Sequence, residues 1–122
     1  MKKLLKVLFL MTFLASCAAT PVVLERGAQN VKTGKNDPPE GSVEIGSISV
    51  QDGSGCGLYG FRGEYERAVI LLRNKAMQMG GNYVQIYSMT EPHSDYNCFV
   101  NSFVIRGTVY ESSGQKRNLS SK

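Results

Sequence analysis

One clear helical period, and only one, runs through this chain, set between stretches that read as strands. From Glu64 to Met79, the residues Tyr65, Ala68, Val69, Leu72, Ala76 and Met79 recur at the spacing of one helix face. That spacing marks a helix with one side against a core. Ile70 and Leu71 widen the stripe, so the helix is well covered. Glu64 and Glu66 in the first turn and Lys75 near the last match the helix dipole. Gly80-Gly81 then reads as a left-handed stop. Runs rich in β-branched and aromatic residues flank the helix: Val43 to Val50 before it, Asn82 to Ser88 and Phe103 to Glu111 after it. In the first run, Val43 and Ile45 share one face while Ile48 and Val50 share the other, which predicts a bulge at Gly46-Ser47. Strand, helix and strand in this order imply a right-handed parallel unit, and the last strand then returns antiparallel. The expected fold is α+β: one helix packed on a small three- to four-stranded mixed sheet, with one disulfide, over residues 43–111.

The N-terminal stretch has a different character. Lys2, Lys3 and Lys6 precede and interrupt an apolar run from Leu4 to Leu14, and Ala15-Ser16 ends it with small residues. This is the anatomy of a secretory signal over residues 1–16. The run is shorter than the ~20 residues that a membrane-spanning helix needs. Leu14-Ala15-Ser16-Cys17 resembles the lipobox of bacterial lipoproteins. The resemblance implies cleavage before Cys17, acylation of Cys17, and membrane attachment through the lipid, with each buried CH₂ contributing about 0.8 kcal/mol. Ala18 stands where an Asp would resemble an inner-membrane retention signal. The expected location is therefore the bacterial outer membrane, facing the periplasm.

Composition is informative once the signal is set aside. The 122-residue chain has 14 Lys and Arg against 10 Asp and Glu, a formal charge of +4. Three of the basic residues lie in 1–16, which leaves eleven against ten. Arg62, Arg67 and Arg73 are too scattered for nucleic acid, and no nucleic-acid partner is expected. The length excludes two domains, a TIM barrel or a full dinucleotide fold. Residues 17–42 read as the lipidated N-terminus and a tether. Val22-Val23-Leu24 marks a candidate first strand at 22–26, followed by a polar, Pro- and Gly-containing stretch to Ser42. Residues 112–122 read as a polar, disordered tail.

Three cysteines are an odd number for an exported protein. With Cys17 lipidated, Cys56 and Cys98 remain as a pair, and an oxidising periplasm favours their bridge. Cys56 follows the end of one strand, and Cys98 lies in the loop after a strand parallel to it. Both are therefore expected at the same edge of the sheet.

Several constellations invite a chemical reading. Gly55-Cys56-Gly57-Leu58-Tyr59-Gly60 matches the dinucleotide fingerprint between a strand and a helix. The helix begins several residues too late, no acid ends the Asn82–Ser88 run, and there is no second half-domain. The five glycines at 53–63 read instead as a flexible loop that lets Cys56 reach its partner. His93, the only histidine, lies near Glu91, Asp95 and Cys98. A metal site or a Cys-His nucleophile there needs Cys98 as a free thiolate. No catalytic residue, metal or cofactor is expected. The alternative is a small periplasmic metal-binding protein or hydrolase using His93 and Cys98. Tyr59 and Phe61 in the glycine loop, with Tyr96 and Phe99 flanking Cys98, form the candidate interaction surface. Tyr83 and Tyr87 share a strand face and read as cover for the second sheet face or a contact with the tether.

Gly55-Cys56-Gly57, Leu72-Arg73-Asn74-Lys75-Ala76, Met79-Gly80-Gly81-Asn82-Tyr83-Val84, Cys98, and Ile105-Arg106-Gly107 with Tyr110 carry a wider resemblance. From Gly46 to Tyr110 the chain resembles an uncharacterised family of small bacterial lipoproteins, related in fold to the RcsF-type envelope lipoproteins. The resemblance implies a compact periplasm-facing domain tied by a disulfide and does not imply an enzyme; the expected role is non-catalytic contact with an envelope protein, of which envelope-stress sensing is a narrower form. The RcsF type has four cysteines and a long proline-rich tether, whereas this chain has one pair and a shorter N-terminal stretch.

Overall fold

A computed structural model describes residues 21–113. The expected signal peptide 1–16, the expected lipidation site Cys17 and residues 114–122 of the expected tail lie outside the described residues. The described chain has seven regular elements, apart from two short 3-10 turns. They are β1 (Lys32–Gly34), β2 (Val43–Asp52), α1 (Tyr65–Gln78), β3 (Tyr83–Thr90), β4 (His93–Ser94), β5 (Phe99–Val100) and β6 (Phe103–Glu111). β1, β3, β6 and β2 form one four-stranded sheet in that order. β6 runs antiparallel to both β2 and β3, and β1 is parallel to β3. The fold is thus the expected α+β arrangement, with β6 inserted between the two parallel strands that α1 connects. β4 and β5 add a second, two-stranded sheet.

The helical stripe forms the core. Ala68, Leu72 and Ala76 are fully buried against Ile48 and Val50 of β2, Val84 and Ile86 of β3, and Phe103, Ile105 and Val109 of β6. Val69 and Met79 pack at its margin, and Tyr65 stays half exposed with its ring edge-on to Phe103. Alternation along β6 explains why Phe103 to Glu111 is a strand: residues 103, 105, 107 and 109 face α1, while 104, 106, 108 and 110 face away.

The pattern slip in β2 is a bulge. Its register with β6 shifts between Glu44 and Gly46, leaving Ile45 as the extra residue, one position before the expected slip. β3 carries a second bulge at Tyr87, between Ile86 and Ser88.

The helix ends as its two glycines dictate. Gly80, at φ +88°, donates to the Met77 carbonyl, and Gly81 donates to the Ala76 carbonyl. This pair of bonds is the Schellman arrangement, which satisfies carbonyls that the helix leaves unpaired. Asn82 then ties three segments together. Its backbone N–H donates to the Tyr110 carbonyl, and its carbonyl accepts from Lys32. Its side-chain amide exchanges two hydrogen bonds with the Ser112 backbone.

The tether expectation needs correction for residues 21–42. Residues 22–26 form no strand; the first strand is β1, ten residues further on. Residues 21–27 lie as an arm over α1. The Asn74 side chain donates to the Val23 carbonyl at 2.8 Å and accepts from the Glu25 N–H at 2.8 Å. Gln78 donates to the Glu25 carboxylate at 3.1 Å. Ala28 and Val31 are buried, and Val31 joins the core. β1 and β2 sit at opposite edges of the sheet, so residues 35–42 must cross the face opposite α1. There the Asn36 carbonyl accepts from the Tyr83 hydroxyl, and the Asp37 carboxylate accepts from Gln85. Tyr83 thus meets the stretch that precedes β2, while Tyr87 remains exposed.

Candidate functional site

Two loops meet beyond the C-terminal ends of β2 and β3, beside the start of α1. The first is the glycine-rich stretch 53–63. Ser54 and Phe61 pair their backbones through two 2.8 Å hydrogen bonds, which makes a small hairpin with a 3-10 turn, Gly57–Tyr59, at its apex. The second is the β4–β5 hairpin, with His93 opposite Val100 and Ser94 opposite Phe99. Its turn is closed by a 2.8 Å bond from the Asp95 N–H to the Cys98 carbonyl. The Asp95 carboxylate also accepts from the Tyr96 N–H. Strands of two residues carry no alternation, which is why this hairpin escaped sequence reading.

The loops are clamped covalently and by backbone bonds. Cys56 and Cys98 form a disulfide, with Cα atoms 5.7 Å apart, a separation that suits a bridge. Both cysteines lie at the same end of the sheet, as expected. Cys56 also makes a β-bridge with Val100. Asn101, only 4% exposed, holds the glycine loop from beneath. Its carbonyl accepts from Gly63 at 2.7 Å, its N–H donates to Gly55 at 3.2 Å, and its side-chain amide donates to Gly57 at 2.8 Å.

The expected flexible loop is therefore a closely packed one. Gly53 has φ +80°, and a Cβ there would stand 2.7 Å from the Asn101 carbonyl. A Cβ at Gly63 would stand 2.7 Å from the Phe103 nitrogen. These glycines serve close backbone approach rather than mobility.

The root of the loop is electrostatic. The Asp52 carboxylate, 4% exposed, accepts from the Glu64 N–H at 2.8 Å and pairs with Arg67 at 3.3 Å. It places negative charge at the N-terminus of α1, where the dipole favours it. The Arg67 guanidinium lies 4.5 Å from the centre of the Phe61 ring. Arg62 lies in the same way over Phe99, at 5.3 Å. Each arginine covers one face of an aromatic side chain.

The structure brings all four expected surface residues onto these two joined loops, in two classes. Tyr59 and Tyr96 are 103% and 97% exposed. Phe61 and Phe99 are partly covered beneath their arginines. Leu58, 102% exposed, belongs with the first class and was missed by sequence reading. The available signal was its place between Gly57 and Gly60 in a glycine-rich stretch, outside any run with a helix or strand period.

The alternative site fares differently. The Cys98 sulfur is bonded to Cys56, so a thiolate at Cys98 would require the bridge to open. His93 is exposed, with Nδ1 2.8 Å from the Glu91 carbonyl. Among the described residues, no three His, Cys, Asp or Glu side chains are arranged to hold a metal ion. The helix starts at Tyr65, five residues after Gly60, so the glycine pattern does not open a helix as a dinucleotide fingerprint must.

No protein-family model matches the chain, and neither a curated protein nor a solved structure matches it.

Proposed function

We propose that this protein is a lipid-anchored, non-catalytic bacterial envelope lipoprotein of RcsF-like type, facing the periplasm from the outer membrane. Its domain works by docking the disulfide-clamped tip against an envelope protein, and a stress-sensing role is one form of that docking. The observation that carries the reading is the exposure of Leu58, Tyr59 and Tyr96 on loops held rigid by a disulfide and by Asn101. Large apolar side chains held in solvent by a stiff frame lose little conformational freedom on binding, which suits an interface anchor. Anchoring rests on the residues Leu14-Ala15-Ser16-Cys17. Cells fed labelled palmitate should label the wild-type chain and not Cys17→Ala. A Cys17→Ala chain that still carries lipid would refute the anchor.

A further inference from the structure

We infer that the arm and the outward face of α1 form the surface that rests on the phospholipid bilayer, leaving the tip clear of it. The inference depends on Cys17 being the lipid-bearing residue. Its starting point is where the described residues begin. Asn74 clamps the arm at Val23 and Glu25, and Gln78 holds the Glu25 carboxylate, so the arm is seated on the outward side of the helix. Only residues 18–20 separate Pro21 from Cys17. Four residue steps reach at most about 14 Å when fully extended. An acylated Cys17 therefore keeps the arm close to the headgroups, and the helix with it. The sheet, with exposed Tyr87 on its far face, lies behind the helix.

The chemistry of this face agrees with its position. Val23 is 67% exposed, an apolar side chain on the segment nearest the anchor. Arg26, three residues further along the arm, is exposed and offsets the Glu25 carboxylate that Gln78 holds. An exposed apolar side chain near an arginine suits the boundary between phosphate headgroups and acyl chains. The tip stands apart from this contact. The arm crosses α1 near Asn74, and about 14 Å of helix separates Asn74 from Tyr65, where the tip begins. A domain lying on its helix face therefore directs Leu58, Tyr59 and Tyr96 along the membrane rather than into it.

The chain has no Trp, which makes a single introduced Trp a clean reporter. The full-length lipidated protein is placed in vesicles of phosphatidylethanolamine and phosphatidylglycerol with brominated acyl chains. Three exposed positions are compared as Val23→Trp, Tyr87→Trp and Tyr59→Trp. We expect emission from Val23→Trp to shift to the blue and lose intensity to bromine, with neither change at the other two positions. Equal loss at Tyr87→Trp, or greater loss at Tyr59→Trp, overturns the orientation and in the second case makes the tip the membrane contact. Unquenched Val23→Trp overturns it too, provided the intact mass shows lipid on Cys17. An intact mass without lipid overturns the anchor and the orientation together.

Discussion

In the helix–sheet body, the large apolar side chains are hidden: Leu72, Val84, Ile105 and Val109 are fully buried. In the tip, side chains of the same kind are outside, with Leu58, Tyr59 and Tyr96 wholly exposed. The body is ordered because burying those side chains removes apolar surface from water. The tip gains little from that source. It is ordered by a covalent bridge, by backbone pairing between Ser54 and Phe61, and by Asn101 reaching three backbone positions. Since its side chains are not needed to hold it together, they are free to bind something else. The difference teaches how a small domain can hold apolar side chains in solvent without relying on them for its order.

Removing the bridge should produce the largest effect. Cys56 and Cys98 are 42 residues apart, and opening a loop of that size costs about 4 kcal/mol by the chain-entropy account. Urea unfolding of Cys56→Ser/Cys98→Ser should show that loss. An unchanged midpoint would mean that the backbone bonds of the tip suffice without the disulfide. Leu72→Ala comes next, at about 3 kcal/mol, because it leaves a cavity under the helix. Its unfolding should remain a single transition, since the body is one core. A smaller loss, about 1 kcal/mol, is expected for Asn101→Ala, which removes the amide bond to the Gly57 carbonyl. Hydrogen exchange sharpens this comparison: amides in 53–63 should exchange faster while those of α1 keep their protection. Faster exchange in α1 to the same degree would show that tip and body are not separately held.

The parts of the fold legible in the sequence are those set by local pattern. The α1 stripe, the Gly80-Gly81 stop and the Phe103–Glu111 strand each follow from spacing along one segment. The arm was not legible, because its order comes from a side chain fifty residues away: Asn74 reaches the backbone around Leu24. β1 is three residues long, and only Val31 beside it enters the core. For the candidate site, the aromatic residues and the cysteine pair were readable from residue type and position. Its stiffness was not. Glycine permits both a loose loop and a tightly packed one, and Gly53 and Gly63 are of the second kind because other backbone lies against them, Phe61 and Asn101 at Gly53 and Asp52 and Phe103 at Gly63.

The central claim is that the tip, and not another exposed aromatic, makes the contact. A photo-crosslinking residue placed at Tyr59, Tyr96 or Tyr87 in living cells tests it most directly, since all three side chains are exposed and only two belong to the tip. Surface changes of this kind should alter stability by no more than about 0.5 kcal/mol, so the readout is contact rather than folding. The account predicts one discrete adduct with an envelope protein from Tyr59 and Tyr96 and none from Tyr87. The same adduct from Tyr87, or no discrete adduct from either tip position, would contradict it.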